Sequence, residues 1–150
     1  MKRIIFVLAV CFSVNVLAQT FSVSQLKGCE WVDDTFRDDV IKTIWFTDTI
    51  CYDKDDFLTI GKSATIAPPY YLSDSMVRDF NAANVGKSTT GKYLIINQGN
   101  EKYGYAMTIW EILGISEEKL VVKCGLYYSD TGKSGPYVRT FRKVKGKQSR

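Results

Sequence analysis

The feature that most constrains this chain is its rhythm. Short runs rich in Tyr, Phe, Trp, Ile, Val and Thr recur along it, each broken by Gly, Asn, Asp or Ser. β-Branched and aromatic side chains pack well on a pleated surface, so such runs read as strands. They fall near Cys29–Thr35, Val40–Tyr52, Phe57–Ala67, Pro69–Ser73, Lys92–Gln98, Tyr105–Leu113, Lys119–Leu126 and Tyr137–Val144. The turns between them are read at Arg37-Asp38-Asp39, Asp53-Lys54-Asp55-Asp56, Gly99-Asn100, Ser116-Glu117-Glu118 and Ser129 through Pro136. Most links are short enough for hairpins. Asp74 to Gly91 is longer and polar, with room at Ser75 to Phe80 for one helical turn capped by Ser75 or Asp74. Strands in series with tight turns predict an all-β fold, an antiparallel up-and-down barrel of about eight strands with one short helical excursion.

The N-terminus carries an address rather than a strand. Met1-Lys2-Arg3 is positive, Ile4 to Leu17 is apolar apart from Ser13 and Asn15, and Val16-Leu17-Ala18 precedes Gln19 as an A-x-A-type cleavage site. The run falls short of the roughly 20 residues a membrane-spanning helix needs. Residues 1–18 are therefore read as a cleaved secretory signal and residues 19–150 as one barrel domain. The expected location is exported, periplasmic or extracellular, with no integral membrane span. Loss of Lys2 and Arg3 takes two from the net charge of +4. Basic residues gather late (Arg139, Arg142, Lys143, Lys145, Lys147 and Arg150), and acidic ones crowd the front, from Asp33 to Asp56. In an exported protein of nearly balanced charge this reads as a solvated strand end and tail, with no nucleic acid as partner.

Cys11 leaves with the signal, so three cysteines remain: Cys29, Cys51 and Cys124. An odd set allows at most one internal bridge. Cys29 near the start of the first strand and Cys51 near the end of the second would meet in an antiparallel hairpin, which makes Cys29–Cys51 the leading disulfide in an oxidising space. The alternative is that all three are small buried apolar residues.

Reactive chemistry finds little support. The chain has no histidine, which removes the usual general base and the Ser-His-Asp arrangement. Three scattered cysteines without histidine do not make a zinc site. Gly86-Lys87-Ser88-Thr89 has the end of a phosphate loop, but Asn81 stands where the first glycine belongs and a strand follows in place of a helix. Asp53-Lys54-Asp55-Asp56 has Leu58 and Ala64 where a calcium loop needs glycine and glutamate, so it reads as a solvated hairpin turn. The chain is expected to be no enzyme, with no cofactor and no metal. Glu111, between Ile109 and Leu113, lies on the strand face opposite Trp110 and Ile112. That face is either partly covered or an exposed apolar patch.

Taken in order, the motifs resemble a family. Leu26-Lys27-Gly28-Cys29-Glu30-Trp31, Tyr70-Tyr71-Leu72-Ser73-Asp74, Phe80 with Val85-Gly86-Lys87, and Gly91-Lys92-Tyr93-Leu94-Ile95 open the series. Trp110-Glu111-Ile112-Leu113-Gly114-Ile115-Ser116, Lys119-Leu120-Val121-Val122 and Tyr137-Val138-Arg139-Thr140-Phe141-Arg142-Lys143 close it. Over nearly all of residues 19–150 the chain resembles the small lipocalin-like (calycin) proteins exported by Bacteroidetes-type bacteria. It departs from them in placing two residues, not one, between Gly28 and Trp31. The resemblance implies that Trp31 seats at the barrel floor under a late arginine, and parity with Phe141 points to Arg139 as that cover.

Parity places Trp31, Phe46, Tyr70, Trp110 and Phe141 on an inward face. A barrel of about eight strands is just wide enough to be filled by side chains or to hold one small ligand. Two functions are therefore expected. The first, implied by the resemblance, is a non-enzymatic binding protein holding a small apolar or amphipathic ligand against those aromatics. The second is a filled barrel that binds an envelope protein as an inhibitor or assembly component, through exposed Met107, Ile109 and Leu113.

Overall fold

A computed structural model describes residues 19–34, 39–99, 107–125 and 136–144. Residues 1–18 and the turns expected at Arg37-Asp38, Asn100 and Ser129 through Gly135 lie outside them. The fold is all-β and antiparallel. Nine strands form one strongly curled sheet, a half-barrel, in the order β5-β4-β3-β2-β11-β10-β9-β8-β6. The strands are β2 (Glu30–Asp33), β3 (Val40–Phe46), β4 (Cys51–Phe57), β5 (Lys62–Ile66), β6 (Tyr70–Ser73), β8 (Tyr93–Ile96), β9 (Thr108–Ile115), β10 (Lys119–Cys124) and β11 (Tyr137–Val144). Two residues each of β1 (Phe21–Ser22) and β7 (Thr90–Gly91) pair apart from it. Nearly every neighbour is the next strand in sequence, the up-and-down arrangement that short turns dictate. The main exception joins β2 to β11, with Trp31 opposite Lys143 and Phe141 opposite Asp33.

One end of the sheet is covered. The four-residue helix α1 (Val23–Leu26) lies across the base, where the Gln25 side chain accepts the Ser22 N–H at 2.8 Å and Val23 N–H donates to Thr89 O at 2.9 Å. Gly28, at φ 79°, turns the chain from α1 into β2. Phe21, Val23 and Leu26 meet Trp31, Ile44, Phe46, Cys51, Tyr70, Leu72 and the inward residues of β8 to β11 in one buried cluster. The outer face of β6, β8 and β9 carries a second, with Tyr71, Ile95, Met107 and Ile109 beneath Val77, Phe80 and Val85. The 74–91 link is thus a cover for the sheet. Its helical turn is a 3-10 turn at Ala82–Asn84 capped by Asn81, not one at Ser75 to Phe80.

Strand boundaries differ from expectation where charge misled. Val40–Tyr52 is not one strand. Thr47 to Ile50 form a turn in which the Thr47 hydroxyl accepts Ile50 N–H at 3.0 Å and Thr47 N–H donates to Ile50 O at 2.9 Å. Asp53 to Asp56, expected as a turn, are the middle of β4. Successive side chains on a strand point to opposite faces, and each face supplies a lysine. Lys42 meets Asp53 and Asp55 on one, and Lys54 meets Asp56 at 2.9 Å on the other. The next turn is Leu58–Gly61, with Gly61 at φ 60°.

Candidate functional site

The five inward aromatics are all where parity put them, and together they fill the base. Trp31, Tyr70 and Phe141 have no exposed surface, and Phe46 and Trp110 almost none. Phe46 meets Tyr70 edge-on at 5.3 Å, and Trp110 stacks on Phe141 at 6.0 Å. Trp31 Nε1 donates to Leu26 O at 3.0 Å, and Tyr70 Oη donates to Thr47 O at 2.7 Å. Their polar ends are therefore spent on backbone carbonyls, as buried Trp and Tyr require. Burial pushes the Tyr70 phenol well above its usual range.

The cover over Trp31 is Lys143, not Arg139. Lys143 Nζ lies 5.8 Å from the Trp31 ring. Residues 139, 141 and 143 share a face, so parity alone cannot choose among them. Register does, by setting Lys143 directly across from Trp31. Arg139 belongs to the opposite end, 3.5 Å from Asp33 and over the Tyr137 ring at 5.4 Å.

Cys29, Cys51 and Cys124 are buried free thiols. Cys29–Cys51 is not a disulfide because Cys51 begins a third strand. Continuing the β2–β3 register one step sets Cys29 beside Phe46, and Phe46 pairs with Cys51. The two cysteines are thus two strands apart, about 9–10 Å, and a bridge needs Cα atoms within about 7 Å. Burial raises all three thiols, Cys124 to about 12, so none is an activated nucleophile.

Above the aromatic floor the inward face turns polar. Continuing the same register sets Asp33 beside Lys42, whose ammonium joins Asp53 and lies 3.1 Å from Asp55 Oδ1. That oxygen is off the hydrogen-bonding direction and is buried without a hydrogen-bond partner. The signs thus alternate strand by strand, with Asp53 and Asp55 on β4, Lys42 on β3, Asp33 on β2 and Arg139 on β11, toward the end of the sheet away from α1. Among the described residues no three His, Cys, Asp or Glu side chains are grouped to hold a metal. A cleft of about 460 Å³ lies elsewhere, between Glu117, Glu118, Lys119, Arg142 and Lys143.

Glu111 is settled by its surroundings. Its face is partly covered by the 74–91 link, and its carboxylate holds Lys92 Nζ at 2.6 Å. Met107 and Ile109, expected as an exposed docking surface, are buried there, and Leu113 alone stays out at 42 %. Met76, Tyr137 and Val138 are exposed elsewhere, and four more apolar side chains stand out on the blade formed by the far halves of β3 and β4 with β5. They are Ile41 (42 %), Leu58 (56 %), Ile60 (63 %) and Ile66 (50 %). Sequence reading missed them because the aspartates of β4 looked like the end of the strand. The signal was Gly61, directly after Leu58-Thr59-Ile60, which marks the true turn.

No helix among the described residues is long and apolar enough to cross a membrane. Compared with protein-family models, with curated proteins and with solved structures, the chain finds no match in any of the three.

Proposed function

We propose that this is an exported, non-enzymatic protein-interaction module, a filled barrel that presents the tip of its β4–β5 hairpin to an envelope protein. The observation that carries this reading is the contrast between the sheet's two halves. Inside, side chains from α1 and nine strands (β1, β2, β3, β4, β6, β8, β9, β10 and β11) pack into one continuous cluster. Outside, Leu58 and Ile60 stand more than half exposed at a hairpin tip. Native interiors are packed to crystal density, and a ligand as large as a fatty acid needs a cavity of about 300 Å³ or more. The packed floor therefore weighs against an apolar ligand held among Trp31, Phe46, Tyr70, Trp110 and Phe141. Apolar side chains clustered at a tip and rimmed by charge are a usual form of contact surface. The lipocalin-like resemblance agrees with export and with the barrel form, and as a fold analogy it says little about a ligand.

Native mass spectrometry of the protein purified from its own envelope tests this. The expected result is a bare chain with a copurifying protein, lost in the variant L58S/I60S while melting is unchanged. A bound molecule of a few hundred daltons, released on denaturation, would return the carrier reading.

A further inference from the structure

The blade has an open side as well as a tip. Strand β5 ends the nine-stranded order, pairs with β4 alone among the described residues, and has all five side chains exposed. The other end of the sheet is treated differently. On β6, Tyr70 N–H donates to Thr49 O and Leu72 N–H to Ser88 O, each at 3.0 Å, so its outer edge is capped by passing backbone. An uncapped edge presents unpaired N–H and C=O groups to any strand that can lie beside it.

Which groups those are follows from alternation. Cys51 N–H donates away from β3, to Pro68 O, and Leu58 N–H donates toward β3, to Asp39 O. Odd-numbered residues of β4 therefore bond to β5 and even-numbered ones to β3. In register with Asp53, Asp55 and Phe57 are Ile66, Ala64 and Lys62, which spend their backbone groups on β4. Ser63 and Thr65 are left pointing their N–H and C=O groups to the open edge.

We propose that this protein pairs with a second copy of itself through that edge, β5 against β5, in one continuous antiparallel sheet with its two-fold axis at Ala64. The pattern of β5 is self-complementary about that point. Ser63 and Thr65 of one copy face Thr65 and Ser63 of the other as two hydrogen-bonded pairs, and Ala64 faces its own image as a non-hydrogen-bonded pair. Lys62 faces Ile66, so its methylenes cover a half-exposed isoleucine and no like charges are opposed. Beyond Ile66 lies Asp53, within reach of the lysine's charged end. The β4–β5 pairing has no register shift to twist the edge away, unlike β9–β10, which shifts at Val121/Val122. An interface this narrow gives a reversible dimer, more populated at higher concentration. This goes beyond the interaction-module reading and does not depend on it, since the tip and the edge are separate surfaces.

Sedimentation equilibrium of the full chain across a concentration range tests the proposal, with variants chosen so that the fold survives. T65P removes an N–H that points outward and leaves the β4 ladder whole. A64K places a lysine beside Asp55 in its own molecule and opposite another lysine in the dimer. Each change occurs twice in a symmetric dimer, and each is expected to raise the dissociation constant more than about tenfold, with the melting transition kept. Non-hydrogen-bonded pairs hold their Cα atoms about 4.5 Å apart, within disulfide range, so oxidised A64C is expected to form a crosslinked dimer and oxidised S63C not. A wild-type chain that stays monomeric at millimolar concentration overturns the proposal. So does a dimer indifferent to T65P and A64K, or an A64C variant that crosslinks to a different protein and never to itself. None of those results touches the L58S/I60S test of the hairpin tip.

Discussion

Two tryptophans in this protein should respond very differently to the same substitution. Trp31 is fully buried at the barrel base, under Lys143, with its indole N–H on Leu26 O at 3.0 Å. Trp31→Phe keeps the six-membered ring and deletes the pyrrole edge. The lost burial is worth about two methylene groups, or ~1.6 kcal/mol. Leu26 is itself fully buried, so its carbonyl loses its strong donor and keeps only the Cys29 thiol at 3.9 Å, a further ~1–2 kcal/mol. The expected total is about 3 kcal/mol. Trp45 lies on the outer face, half-buried and stacked on Tyr52 at 4.9 Å with an interplanar angle of 3°. Trp45→Phe keeps a ring in that stack and should cost less than about 1 kcal/mol. Urea unfolding followed by far-ultraviolet circular dichroism measures both without relying on tryptophan emission. A gap of ~2 kcal/mol moves the two midpoints about 1 M apart. Coincident midpoints, or a Trp31→Phe cost under 1 kcal/mol, would refute the claim that Trp31 is the bonded floor of the barrel.

Two glycines make a second paired case. A Cβ on Gly91 would lie 2.4 Å from the Ser73 backbone, so Gly91→Ala should separate β7 from β6 and cost several kcal/mol, whereas Gly28→Ala at φ 79°, with open space around it, should cost only about 1–2; melting temperatures rank the two. The three thiols should resist Ellman's reagent at pH 8 in the folded protein and react together on unfolding. Their folded values are raised, so the stability they carry is complete below pH 9 and declines as pH climbs from 9 toward 12. Cys124→Ala should flatten that decline, read from denaturant midpoints at successive pH values. Removing the Trp31 cover with Lys143→Ala should shift Trp31 emission and cost about 0.5–1 kcal/mol. Arg139→Ala should leave that emission unchanged, and the reverse pattern would restore Arg139 to the barrel floor.

By itself the sequence determined the class of fold and which side chains face inward. Alternation along a strand is local, so Trp31, Phe46, Tyr70, Trp110 and Phe141 could be assigned to one face without knowing any partner strand. Tight turns imposed neighbour-to-neighbour pairing, and the up-and-down order followed. Tertiary structure alone decided everything that depends on register and cover. Lys143 rather than Arg139 meets Trp31 because of how β11 slides along β2. Cys29 and Cys51 stay apart because Thr47 to Ile50 turn the chain one strand early. Asp53 to Asp56 run through a strand because Lys42 and Lys54 come from a neighbouring strand and from β4 itself to neutralise them. Met107 and Ile109 are hidden because a polar link carries Val77, Phe80 and Val85 over them, while β5 receives no such cover. Periodicity fixes a side chain's face, but what lies against that face belongs to residues far along the chain.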